Sequence, residues 1–174
     1  MFKPGDVVVH RTLGAGVVLS LEEKIVDGSA LKFLRVQLKL KEGDILIPCT
    51  ENGCTDLRLA MTLEQVGQIE KILQTKSAHK PGIGTAPEAT LSPEEMINSR
   101  DPFRIAKAIR YLIDESKGIE FTEAHKALLT SARTALAGEL MQVKGISRAA
   151  AFTFITRALK AGDIKAKEQK KKLK

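Results

Sequence analysis

The chain has 174 residues, 43% of them hydrophobic and 28% charged, and a formal net charge of +7, a composition that can bury a core and excludes global disorder. No run of eighteen apolar residues exists, and the opening Met1-Phe2-Lys3-Pro4-Gly5-Asp6 meets a turn at once, so neither a spanning helix nor a secretory leader is expected. Six Phe, one Tyr and no Trp exclude any binding surface built on an indole.

The first sixty residues read as strands. Asp6 to His10 is a β-branched run behind the Pro4-Gly5 turn, and Gly14-Ala15-Gly16 breaks the chain before a second run from Val17 to Val26. Asp27-Gly28 is a hairpin signal, because a two-residue loop of this kind needs positive φ. From Leu31 to Leu40 the side chains alternate, Leu34, Val36 and Leu38 lying on an apolar face and Phe33, Arg35 and Gln37 on the other. A turn at Lys41-Glu42-Gly43-Asp44 leads to the short strand Ile45-Leu46-Ile47, stopped by Pro48. Several short strands with tight turns predict a small, strongly bent β-barrel of the SH3 or Tudor kind.

From Thr62 the period changes to that of a helix, with Leu63, Val66, Ile69, Ile72 and Leu73 on one stripe. Residues 75–91 carry Pro, Gly, Ala, Ser and Thr without period and read as a linker. Ser92-Pro93-Glu94-Glu95 and Asp101-Pro102 are helix starts, each with a capping residue before Pro. A further helix opens at Thr122 and closes at Gly145, and the last runs from Arg148 to Ala161, opened by Ser147 and closed by Gly162. The expected architecture is α+β in two domains: a barrel with its terminal helix over 1–76, a linker over 77–91, an all-α bundle over 92–162 and a basic tail over 163–174.

The charge is uneven along the chain. Residues 1–76 are net zero, 77–159 carry +2 and 160–174 carry +5, so a polyanion would meet mainly Lys165, Lys167, Lys170, Lys171, Lys172 and Lys174. Arg100, Arg104 and Lys107 lie close to one helix face and form a second candidate phosphate-binding stripe. Cys49 and Cys54 are the only cysteines; with no second pair they read as two thiols rather than a zinc site. No nucleophile elbow, phosphate loop or metalloprotease motif is present, so neither an enzyme nor a cofactor is expected.

Lys3-Pro4-Gly5-Asp6-Val7-Val8-Val9-His10 with Gly14-Ala15-Gly16-Val17-Val18 resembles the opening of the module shared by CarD and CdnL transcription regulators and the transcription-repair coupling factor. The likeness continues through Glu22-Glu23-Lys24-Ile25, Phe33-Leu34 and Ile47-Pro48, then through Asp101-Pro102-Phe103-Arg104-Ile105-Ala106 and residues 132–140, and covers about residues 1–160. The resemblance implies a non-enzymatic regulator that docks on the β subunit of bacterial RNA polymerase. The strand bearing Lys24 and Val26 would make the contact together with the strand bearing Leu46, where relatives often carry a basic residue. It also implies that the helical domain touches promoter DNA. The family's Trp and its following basic cluster are missing here, so weak, non-specific DNA contact is expected. The expectation is a cytoplasmic, nucleoid-associated monomer without membrane or small-molecule partner; the alternative is an adaptor that tethers another regulator to polymerase without touching DNA.

Overall fold

A computed structural model describes residues 2–10, 12–26, 28–38, 43–50, 53–54, 56–76, 91–118 and 121–172, with the backbone alone at 167 and 169–172. The amino-terminal strands are β1 (Val7–His10), β2 (Gly14–Val26), β3 (Ser29–Leu38), β4 (Asp44–Thr50), β5 (Gly53–Cys54) and β6 (Leu57–Leu59). They form one antiparallel sheet in the order β5-β4-β3-β2-β1-β6. The expected barrel is thus not closed among the described residues: β5 and β6, of two and three residues, end the sheet. The hairpin expected at Asp27-Gly28 agrees with the pairing of Val26 with Ser29 and the φ of 79° at Gly28; Asp27 itself lies outside the described residues.

The alternation read in β3 is realised. Leu34, Val36 and Leu38 are buried and join Val8, Val18 and Ile47 in one cluster, with Phe2, Leu13 and Ile45 against it. Cys49 and Cys54, expected as thiols, are bonded to each other as a disulfide. Their positions 49 and 54 are register partners on neighbouring strands, a juxtaposition that sequence spacing does not reveal.

The helices are α1 (Leu63–Gln74), α2 (Pro93–Asn98), α3 (Pro102–Glu115), α4 (Glu123–Lys144) and α5 (Arg148–Lys172). Ser92 caps α2 through a reciprocal box, its side chain accepting from Glu95 N while the Glu95 carboxylate accepts from Ser92 N. Asp101 Oδ1 caps α3 by accepting from Phe103 N at 2.7 Å and Arg104 N at 3.3 Å. Of the linker expected over 77–91, only Leu91 is among the described residues.

The contacts divide the chain into two units, Met1–Thr62 with Gly138–Ile146, and Leu63–Ala137 with Ser147–Lys174. The first boundary therefore falls before α1, where the sequence reading carried it to residue 76. Val66, Ile69 and Leu73, the stripe that defines α1, bury in the second unit, and α1 packs on α3 and α5.

A second correction concerns Gly162. Expected as a helix end, it stands inside α5, which runs on to Lys172. Its role is close approach: a Cβ placed there would lie 2.8 Å from Gln74 Cα and nearer still to the Gln74 carbonyl. Gly162→Ala would gain about 1 kcal/mol of helix propensity, but the obstacle is α1 backbone that cannot rotate away, and overpacking costs about 1–3 kcal/mol. A net loss of up to about 2 kcal/mol is expected, read as a lower urea midpoint at unchanged slope.

Candidate functional site

The face of β2–β3–β4 turned away from the buried cluster collects the candidate residues of the first unit. A one-residue irregularity between Val18 and Ser20 shifts the β2–β3 register, and the extra residue, Leu19, reverses which side chains of β2 face the core. Beyond it the outward rows are Ser20–Arg35–Leu46, Glu22–Phe33–Pro48 and Lys24–Leu31, with Val26 opposite Ser29 at the tip. The sheet thus places Lys24, Val26 and Leu46 on one face, with Lys24 and Leu46 two rows apart. Val26 (41%), Leu31 (40%) and Leu46 (38%) are exposed, and Phe33 is half-buried between them, so the face mixes apolar patches with charge.

The charges on this face are organised around Glu22. Arg35 Nε donates to Glu22 Oε1 at 2.5 Å, and Lys24 Nζ lies 3.7 Å from Glu22 Oε2. Arg35 also reaches Asp44, with its Nη1 3.6 Å from Oδ2. The Arg35 hydrogen bond holds the Glu22 carboxyl below its ordinary value, against partial burial and with help from the charges of Arg35 and Lys24. Lys24 is consequently steered by a carboxylate, and its side chain remains 46% exposed. The edge of β2 is open as well: β1 pairs with β2 only from Gly14 to Val17, and beyond Val18 no described strand continues on that side. Unpaired N–H and C=O groups along such an edge are a template for a partner strand.

In the second unit the candidate residues are scattered. Arg100 precedes the Asp101 cap and adopts a φ of 60°, Arg104 is half-buried in the first turn of α3 and Lys107 is exposed. All three make a contact within the protein, so they are not a row of idle cations. Lys165 Nζ donates to Gln74 Oε1 at 2.9 Å. Lys167, Lys170, Lys171 and Lys172 continue the α5 backbone, so most of the expected basic tail is helix.

Two buried charges escaped the sequence reading. Arg110 is 1% exposed and lies at the meeting of three helices. It donates through Nε (2.9 Å) and Nη2 (2.6 Å) to Asp114, through Nη2 to Asp163 at 2.7 Å, and through Nη1 to the carbonyls of Leu73 and Leu159 at 3.4 and 3.3 Å. Glu139, 2% exposed, accepts from Arg58 through both carboxylate oxygens at 2.7 and 2.6 Å and from Met61 N at 2.6 Å. It fastens the carboxyl-terminal turns of α4 to β6 within the first unit. A legible signal existed for both: a lone charge amid apolar helix positions, Arg110 beside Ile109 and Glu139 within Leu136-Ala137-Gly138-Glu139-Leu140, is stable in a core only when paired.

Among the described residues no group of three or more His, Cys, Asp or Glu is placed to hold a metal ion, and no helix is long and apolar enough to cross a membrane.

Residues 2–53 match the CarD-like/TRCF RID domain, and residues 87–156 match the CarD C-terminal domain. A sheet module of that kind followed by that helical domain defines a transcription regulator that binds RNA polymerase, in a class of non-catalytic proteins. The chain belongs to the CarD family.

Proposed function

We propose that the chain docks on the β subunit of RNA polymerase through the outward face and open edge of β2, with Lys24 and Val26 on the contacting strand and Leu46 on β4, and thereby modulates open-complex formation at promoters. The sheet acts as the barrel-like, Tudor-related module of the family, and the protein works as a monomer in the cytoplasm, at the nucleoid. The observation that carries the reading is the shared face: three residues separated in sequence lie on one side of a sheet in which no described strand pairs with the outer edge of β2 beyond Val18. Leu46 supplies apolar contact where relatives often have a cation, leaving Lys24 as the main positive group.

DNA contact is the weaker half of the function. The family's indole is absent, so promoter DNA is held by non-specific phosphate contacts with Arg100, Arg104 and Lys107, whose interactions within the protein compete with phosphate, and with Lys165, Lys167, Lys170, Lys171 and Lys172. That engagement also favours a second reading, an adaptor whose helical unit holds another protein.

The docking is tested by Lys24→Glu in the full chain. The substitution reverses a charge beside Glu22, and a well-placed interfacial charge pair is worth about 2 kcal/mol, so affinity for core polymerase measured by surface plasmon resonance should fall about 10- to 30-fold. Lys32→Glu, on the opposite face of the same hairpin, should bind like wild type. Equal binding by the Lys24 variant would remove β2 from the interface.

A further inference from the structure

The exposed side of α5 has a pattern that polymerase docking by the sheet does not use. Phe152, Thr153, Thr156, Arg157, Lys160 and Ile164 line a shallow groove of about 570 Å³ along it. Thr153, Arg157, Lys160 and Ile164 are spaced by four, three and four residues, and positions 167 and 171 continue the alternation. Steps of three and four keep a stripe on one face of a helix and are the spacing with which a second helix packs along it.

The chemistry of the stripe is one-sided. Arg157 and Lys160 are exposed and make no hydrogen bond or ion pair among the described residues. Arg148 lies 5.8 Å from the centre of the Phe152 ring, and Arg133 on α4 donates to Thr156 Oγ1 at 2.9 Å, so both guanidinium groups are held beside the groove. No acid lines it. Asp163, the acid nearest in sequence, is turned to Arg110 and Lys117. Solvated cations are combined with apolar surface, Ile164 being 58% exposed and Phe152 half-buried. Phosphates would satisfy the cations and leave Phe152 and Ile164 without purpose. An amphipathic helix with Leu or Ile on its seam and Glu or Asp flanking it satisfies both.

We propose that this face of α5 binds an acidic amphipathic helix of a partner protein, laid along about three turns from Thr153 to Ile164. The site belongs to the second unit and shares no residue with the sheet, so failure of polymerase docking leaves it intact. In the adaptor reading it is the surface that holds the second protein.

The test uses the full chain and fluorescence anisotropy with three labelled probes: a synthetic 20-residue helix with Leu at the seam and Glu flanking it, a peptide of identical composition with the order scrambled, and a 20-base-pair duplex. The amphipathic peptide should bind at least tenfold tighter than the scrambled one. Arg157→Glu with Lys160→Glu should weaken it about tenfold or more. Ile164→Lys separates the two polyanions, because it removes apolar contact and adds a cation: peptide affinity should fall about fivefold, while duplex affinity should hold or rise. All are exposed-face substitutions, and circular dichroism melts matching wild type establish that the fold is kept. Equal binding of scrambled and ordered peptides would overturn the proposal, as would variants that leave peptide affinity unchanged. An Ile164→Lys chain that binds both peptide and duplex more tightly would assign the face to nucleic acid and would equally overturn it.

Discussion

Replacing Arg110 by Ala is expected to destabilise the helical unit by about 3–5 kcal/mol, the cost of removing one partner from a buried charge network. The side chain joins three segments distant in sequence, because its five donors reach Asp114 on α3, Asp163 on α5 and the carbonyls of Leu73 and Leu159. Burial disfavours its charge, and the bonds to Asp114 and Asp163 more than offset that and raise its pKa. Without it two carboxylates face each other with Lys117 alone, whose Nζ lies 3.3 Å from Asp114 Oδ1 and 2.8 Å from Asp163 Oδ1. Arg110→Met should cost less than Ala, since a methionine fills part of the volume, yet it leaves the same orphaned acids. Urea titration followed by far-ultraviolet circular dichroism reads the loss; a variant within about 1 kcal/mol of wild type would show that the network is neutral.

The same network sets the response to acid. Burial pushes the Asp163 carboxyl up, but hydrogen bonds from Lys117 and Arg110 outweigh it and hold the group below its ordinary value of 3.8. A depressed carboxyl contributes stability that is fully present above its unfolded value and lost as pH falls through the folded one. Wild-type stability should therefore decline as pH drops toward and below 3.8. In Arg110→Ala that part of the acid limb should flatten, because the acid has lost a principal reason to stay ionised.

Glu139→Ala is the second large effect, and it falls on the sheet unit. The carboxylate accepts two bonds from Arg58 and one from Met61 N, so its removal leaves a buried backbone donor unsatisfied and takes the carboxylate partner from a guanidinium. Breaking a fully buried pair costs about 3–5 kcal/mol; the Arg58 side chain is 31% exposed and can turn to water, so about 2–3 kcal/mol is expected. Glu139→Gln keeps the volume and one acceptor and should recover about a third of the loss. The consequence reaches function: a fragment ending at residue 76 lacks Glu139 and should hold the docking sheet less firmly than the full chain. Hydrogen exchange of the Met61 amide reports this directly, with faster exchange in Glu139→Ala and in the fragment; unchanged protection would mean that the carboxylate is dispensable.

Local sequence determined the strands, their alternation and the helix starts. Leu34, Val36 and Leu38 lie at period two, so any half-buried strand turns them to one side. Ser92 and Asp101 cap helices because their oxygens satisfy amides three residues away or fewer. These forces act within a few residues and need no knowledge of what lies opposite. The family was legible for the same reason, since its motifs are contiguous runs that carry those local instructions.

Tertiary structure alone decided what depends on partners far along the chain. The pairing of Cys49 with Cys54 depends on the β4–β5 register, and the outward direction of Lys24 depends on one extra residue at Leu19. Gly162 reads as a helix stop by composition and is instead the point where α1 backbone approaches α5. What meets the cost of burying Arg110 is not local: Asp163 lies 53 positions away, and the two carbonyls belong to other helices. Glu139 is matched by Arg58 at a separation of 81. A buried charge is stable only with its partner in place, and that partner is chosen by how the helices and strands pack.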